Sequence, residues 1–471
     1  MSPAFVFMLA GMTSMPCRRR QFLAGALMMG PGLAWPAPLP QAALLPPLAP
    51  RQRQLANGLS VLSLPDSLPG GSSVSVQLWY RVGGKHDPQG RAGFAHLFEH
   101  LMFKSTRYMA AEQFDRMTED VGGSNNAFTT PDVTVFHCQV PANHLEPVLW
   151  AEAERMANLN VDQANFDSER EVVKEELRQR VLGEPYGPLF HAIPGLGYQR
   201  HPYRRPVIGE LAELEAATLD EVRAFHARHY RPDNALLIVS GRFDASRLDA
   251  TVDHFFGSIR APAEPLLRLD SSEPPRERDS VHRIAALQAP QPAAALIWQG
   301  PPLAHGDGAA LRVAATLLGL GESGRFNESL VYRRRLAQST GFELMLNAEA
   351  GLIVAHAIAA GQARVTAETL AGALQREVQR LAQEPLLAEE LAKAKAQLLT
   401  QGLLARETAE GRALLLGESL LLRGDAQAAE RELAATQGVG VVELQRVLQQ
   451  WLLKAPRQTV LYENRKAGVM T

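Results

Sequence analysis

Twice along the chain, strand-like stretches are followed by long helical ones, and the polar, proline-containing segment DSSEPPRERDS at residues 270–280 separates the two sets. In the first set, RQLANGLSVLSLPDS reads as a strand, an Asn-Gly turn and a second strand, and GSSVSVQLWYRVG alternates as a half-buried strand does. RAGFAHLFEHLMFKST follows as a helix whose apolar face is Phe94, Leu97, Leu101 and Met102. AAEQFDRMTEDVGG is a second helix, stopped by Gly122 and Gly123, and SNNAFTTPDVTVFHCQVP returns to strand character. NHLEPVLWAEAERMANL and NFDSEREVVKEELRQRV are helical. Beyond the divide come the strand-like AAALIWQGPPL, the helix GAALRVAATLLGLG, more strands, and Ala/Leu/Glu-rich helices to about residue 454. Strands then helices, twice over, predict an α+β fold of two related domains. Each would be a mainly antiparallel sheet packed with helices, although no segment of one half closely matches the other. The expected division is an address and linker over 1–43, an N-terminal domain over 44–270 and a C-terminal domain over 271–471.

Composition narrows the function. A formal net charge of -2 over 471 residues, with no Lys/Arg run longer than three residues, gives no electrostatic footprint for nucleic acid. The N-terminal RRRQFLAGALMMGPGLAW, followed by PAPLPQAA, resembles a twin-arginine export signal in the pattern R-R-x-F-L, with Met12 and Met15 as alternative starts. The competing reading is an N-terminal membrane anchor, for which the apolar run is short. Export places the protein in the periplasm. It would remove Cys17 and leave Cys138 alone, so a disulfide scaffold is excluded. Cys138, within DVTVFHCQV, is expected as a buried small side chain. No later segment reaches about 18 uninterrupted apolar residues, so no transmembrane span is expected in the mature chain.

His96 and His100 lie four apart, so a helix projects both from one face and their imidazoles can aim at one point, as a tetrahedral zinc requires. A catalytic zinc takes three protein ligands and leaves the fourth position to water. Glu99 is placed to reach that water without binding the metal and to act as general base. H-x-x-E-H is the inverted zincin pattern. The bland alternative is a surface helix with two solvated histidines, and the pattern needs a third ligand. FDSEREVVKEELRQR offers acids: Glu169 and Glu176, seven apart, share a face, while Glu171 and Glu175 point elsewhere. Spacing alone does not say which glutamate is the ligand.

The chain resembles the zinc peptidases that include pitrilysin, insulin-degrading enzyme and the mitochondrial processing peptidase. LANGLSVL, GRAGFAHLFEHLMFKST, GGSNNAFTTPDVTVF, LWAEAERMANL, SEREVVKEEL and HPYRRPVIGE occur in that family's order. The likeness is closest to the shorter two-domain members and runs from about residue 52 to the C-terminus, weakening in the second half. The resemblance implies one Zn2+ per chain, held by His96, His100 and Glu176, the last about 76 residues after the second histidine. It implies Glu99 as catalytic base, Glu169 as the outer acid that orients the site, and Asn126, Ala127, Phe128 and Thr129 as an edge strand pairing with the substrate backbone. Asn126 would also contact the substrate near the scissile bond. Peptides or unfolded proteins are the implied substrates, and the two domains would form half of a clamshell chamber.

The resemblance breaks at one point. Active single-chain members contribute an Arg and a Tyr, seven apart, from the second half to bind substrate and stabilise the oxyanion. Aligning SGRFNESLVYRRRLAQSTGF on that pattern puts Val331 at the Arg and Gln338 at the Tyr. Tyr332, Arg333 and Arg334 are nearby, but a shift of one or two residues on a helix turns a side chain by roughly 100° or 200°. Some members are heterodimers in which one subunit carries zinc and the other the complementary residues. The expected function is a periplasmic zinc metalloendopeptidase, the zinc-bearing subunit of such a heterodimer, with a homodimer as the other assembly. The alternatives are a catalytically silent member kept for binding or assembly, and an exported zinc-binding protein without hydrolysis.

Overall fold

The computed structural model describes residues 47–66, 71–266, 269, 271–286, 288–361 and 364–463. The export signal, Cys17 and the linker to residue 43 lie outside the described residues. Among the described residues, eleven strands form two sheets. The first contains β1 (Arg51–Gln54), β2 (Ser60–Pro65), β3 (Ser73–Tyr80), β4 (Ser124–Thr129), β5 (Thr134–Pro141) and β6 (Ala235–Gly241), in the order β1-β2-β6-β3-β5-β4. The second contains β7 (Ser280–Ala285), β8 (Ala293–Gly300), β9 (Ala337–Leu346), β10 (Gly351–Ala359) and β11 (Arg457–Glu463), in the order β7-β11-β8-β10-β9.

The two orders are the same pattern. In each sheet the last strand of the half inserts beside the first long one, parallel to it (β6 to β2, β11 to β7), and every other pairing is antiparallel. The second half therefore repeats the first without β1, and the two related α+β domains expected from sequence are present. β6 and β11 fall outside the segments read as strands from sequence. They are short and fully apolar at their centres, as strands covered on both faces are.

Coverage of those faces explains how the halves are joined. One face of the first sheet, with Val76, Leu78, Phe136, Leu237 and Val239, packs on helices of its own half through Leu97, Phe98, Leu149 and Phe225. The other face, with Leu62, Trp79, Phe128, Val135 and Ile238, packs on Ala413 and Leu416 of a helix from the second half, Ala409–Arg423. The second sheet mirrors this. Its face bearing Ala293, Ala295, Ile297, Leu352 and Val460 receives Leu189 and Ile193 of helix Gly187–Gly197 from the first half. Each half thus lends one helix to the other. A glycine seats each loan: a Cβ on Gly417 would lie 2.3 Å from the Trp79 ring, and one on Gly197 2.4 Å from Leu352 Cδ1. Polar contacts add to the join, with Lys85 Nζ 2.9 Å from Asp132 and 2.6 Å from Glu349 across the halves.

Cys138 is buried on β5. Among the described residues no helix is long and apolar enough to cross a membrane.

Candidate metal centre

The two histidines sit on α1 (Phe94–Leu101), and the apolar positions Phe94, Leu97 and Leu101, with Met102 just beyond, are fully buried as the spacing requires. A cap from a distant acid fixes its start. Asp87 accepts from the backbone N–H of Gly93 at 2.7 Å and of Ala95 at 2.9 Å, satisfying two of the donors a helix leaves free. Burial raises the Asp87 carboxyl to about 7, against the pull of those two N–H groups. Gly93 has φ +100°, and its Cβ position would meet the Gly209 backbone at 2.9 Å, so only glycine fits this entry.

Helix α2 (Gln163–Leu177) packs against α1 and brings Glu176 to the rings of His96 and His100. Its Oε2 lies 3.6 Å from His96 Nε2 and 3.3 Å from His100 Nε2. Ligands 2.0–2.2 Å from a tetrahedral zinc lie about 3.4 Å from one another, so the three atoms fit one such ion. Among the described residues, His96, His100 and Glu176 are the group whose donor atoms could share a metal, all within 4.8 Å of one another. Burial holds His96 down to about 3, with the neighbouring His100 adding to it, so the ring is neutral and one of its nitrogens has a lone pair to offer. Burial also works against charge on His100, but hydrogen bonds to Glu169 and Glu176 outweigh it and raise that imidazole to about 9. Glu176 is itself buried enough to resist ionisation, yet His100 and then His96 and Arg180 hold it down at about 2.

The other sequence-derived residues surround this group. Glu169 Oε2 is 3.5 Å from His100 Nδ1, and its Oε1 is 2.7 Å from Lys104 Nζ. Glu171 and Glu175 are exposed and pair with Lys174 and Arg178. Glu99 is held by a 2.6 Å hydrogen bond that Thr129 Oγ1 donates to its Oε2, and burial raises its carboxyl above the usual range. That bond ties the centre to β4, the edge strand of the first sheet, whose other neighbour is β5. On β4, Asn126 is exposed and its Oδ1 accepts from Ala127 N–H at 2.8 Å. Ala127 is buried, and Phe128 points to the opposite face, edge-on to Trp79 at 6.1 Å.

Val331 packs against the second core and Gln338 is exposed on β9, so neither offers a cation or a phenol. Tyr332, Arg333 and Arg334 are exposed on the same turn. Three residues near the centre went unremarked in the sequence. Lys104 and Arg180 follow His100 and Glu176 by four and were findable from that spacing. Asp87 gives no local signal, because it caps from outside the usual position.

Two family models match the chain, "Insulinase (Peptidase family M16)" over residues 64–210 and "Peptidase M16 inactive domain" over 216–398. The zinc protease PqqE of Helicobacter pylori is 30% identical over 351 residues, covering 72% of this chain and 76% of that protein. The crystal structure of a protease from Helicobacter pylori superposes with a TM-score of 0.85 at 26% identity, covering 88% of this chain and all (100%) of the other. The periplasmic protease PqqL from Escherichia coli gives a TM-score of 0.70 at 20% identity, where this chain matches 48% of that longer chain. The chain belongs to the M16 family of zinc proteases, the pitrilysin and insulinase type.

Proposed function

We propose that this protein is a periplasmic zinc metalloendopeptidase and the zinc-bearing subunit of a two-chain enzyme. The observation that carries the reading is the convergence of His96, His100 and Glu176, with Glu99 held beside them by Thr129. One Zn2+ bound by these three side chains would polarise a peptide carbonyl and acidify a water molecule. The chain's own residues do the rest. Glu169 accepts at His100 Nδ1 and so fixes the tautomer that leaves Nε2 free, with Lys104 balancing the acid's charge. Glu99 takes the proton from the attacking water and delivers it to the nitrogen of the leaving amine as the C–N bond breaks. The edge strand β4, from Asn126 through Thr129, adds an extended peptide as a further strand, and Thr129 links that strand to Glu99.

The two-chain assembly is supported by the side chains at Val331 and Gln338, which cannot replace an Arg/Tyr pair, and by the length of PqqL, of which this chain matches about half. The same two positions favour the second reading, a silent member used for binding or assembly. A cleavage assay on the zinc-loaded protein, with and without a homologous subunit carrying the Arg/Tyr pair, separates them. Hydrolysis that rises on adding that subunit and falls about 10²–10⁴-fold in Glu99→Gln, with zinc retained, is expected. Cleavage indifferent to Glu99→Gln sinks the peptidase reading, and full activity of the isolated chain sinks partner dependence.

A further inference from the structure

The position aligned with the family's arginine is Val331 in the second half, and one cationic side chain of the first half lies beside the metal centre. After Leu177, helix α2 widens into a π-helical turn, Arg178–Leu182, a distortion that re-aims side chains and is frequent at functional sites. Two arginines leave that turn differently. Arg178 turns away to Glu175 at 3.4 Å, whereas Arg180 Nη1 lies 2.5 Å from Glu176 Oε1, the oxygen that does not face the imidazoles. The Arg180 guanidinium is one carboxylate away from the point on which His96 and His100 converge. Its side chain is 50% exposed, and Nε and Nη2 have no hydrogen-bond partner among the described residues.

We propose that Arg180 is a substrate-contacting residue: anchored by one nitrogen on Glu176 Oε1, it presents its free N–H donors to the carbonyl oxygen of the scissile peptide bond. A planar guanidinium suits both tasks, because its five N–H groups form a rigid fork that can hold a carboxylate on one side and an oxyanion on another. Lysine would give one point charge and no fork. The inference rests on the peptidase reading and supplies from the first half part of what Val331 withholds in the second. The competing role is an ordinary i,i+4 ion pair that steadies Glu176, and it predicts a different pattern of loss.

The probe is a phosphinic peptide, in which a PO2–CH2 unit replaces the scissile amide and mimics the tetrahedral, anionic stage without being cleaved. Its binding to the zinc-loaded full chain is measured by calorimetry for wild type, Arg180→Ala, Arg180→Lys and Arg178→Ala, with zinc affinity of each measured by chelator competition. Arg180→Ala is expected to weaken the phosphinic peptide about 10- to 100-fold, as loss of one charged donor does. Zinc affinity should change less than about threefold, Arg180→Lys should recover part of the loss, and Arg178→Ala should bind as wild type. Three results overturn the inference: unchanged phosphinic binding by Arg180→Ala, a loss matched by an equal fall in zinc affinity, or wild-type protein that prefers the phosphinic peptide no more than the parent amide. The peptidase reading fails separately, on the Glu99→Gln cleavage assay.

Discussion

Replacing Gly417 by alanine tests whether the two halves are joined as described. The added methyl would stand 2.3 Å from Trp79 Cε2 and 2.4 Å from Cζ2, closer than any carbon contact tolerates. Trp79 cannot swing aside: it is 2% exposed, its Nε1–H donates to Gln77 Oε1 at 2.9 Å, and its ring abuts Phe128. Overpacking of this kind costs typically 1–3 kcal/mol, and two ring atoms so close place it at the upper end. Alanine returns about 1 kcal/mol through helix propensity, so a net loss of about 2 kcal/mol is expected, and for two halves that unfold together, roughly 400 residues, a Tm lower by about 2–3 °C. Gly372→Ala is the control. It also lies within a helix, but its methyl would meet only the Arg376 Nη1 end at 3.3 Å, so it should be neutral or stabilising by about 0.5–1 kcal/mol. Thermal unfolding of both variants, with zinc content checked, reads the comparison. A Gly417→Ala protein as stable as wild type would show that helix Ala409–Arg423 does not sit on Trp79. Because Phe128 belongs to β4, the same variant should handle peptide worse at unchanged zinc content.

Arg155 is fully buried with Glu152 at 2.6 Å and is ringed by Phe103, Phe114 and Phe136. Arg155→Met should cost about 3–5 kcal/mol in denaturant unfolding by stranding the acid, and Glu152→Leu with Arg155→Met should recover most of it; failure to recover refutes the pair's role. Burial lowers His86 and His226 to about 4 and His229 to about 3, with the Lys85 charge adding at His86 and the neighbouring His86 adding at His229. Folded values below the unfolded value of about 6.5 mean that the unfolded chain binds more protons, so stability is full above pH 6.5. It falls as pH drops toward 4, by up to about 1.4 kcal/mol per pH unit for each ring, and a Tm that rises on acidification contradicts this. Removing metal with a chelator should lower Tm, because zinc at about 100 times its Kd contributes about 2.7 kcal/mol, and His96→Ala should abolish that difference.

What could be read from sequence divides along the range of the interaction. Helical spacing is local, so it put His96 and His100 on one face and Glu169 and Glu176 on another, and the structure brings those faces together. Choosing Glu176 took a family pattern, since Glu169 and Glu176 share one helix face and spacing alone does not say which is the ligand. Val74 to Leu78 alternate and were legible as a strand, whereas β6 is a short apolar run, β11 (RQTVLYE) is apolar only at its centre, and the place of both depends on partners some 170 residues upstream. Composition marked 409–423 as part of the Ala/Leu/Glu-rich helices, and residues 187–197 carried no reading of their own. Local pattern could not say that each segment packs on the other half's sheet. Asp87 was invisible for a related reason, since its role exists only once the loop before α1 has closed.

The exchange of helices also sets a timetable for biosynthesis. The first sheet has all its strands once Gly241 has left the ribosome, but the helix that covers Trp79, Phe128 and Ile238 ends at Arg423. At about 5–20 residues per second, roughly 180 further residues take on the order of 10–40 s. For that interval a flat apolar face stays open to chaperones and to aggregation. A nascent chain halted before residue 409 is therefore an uncovered sheet rather than a finished domain, and the two halves reach their native state together or not at all.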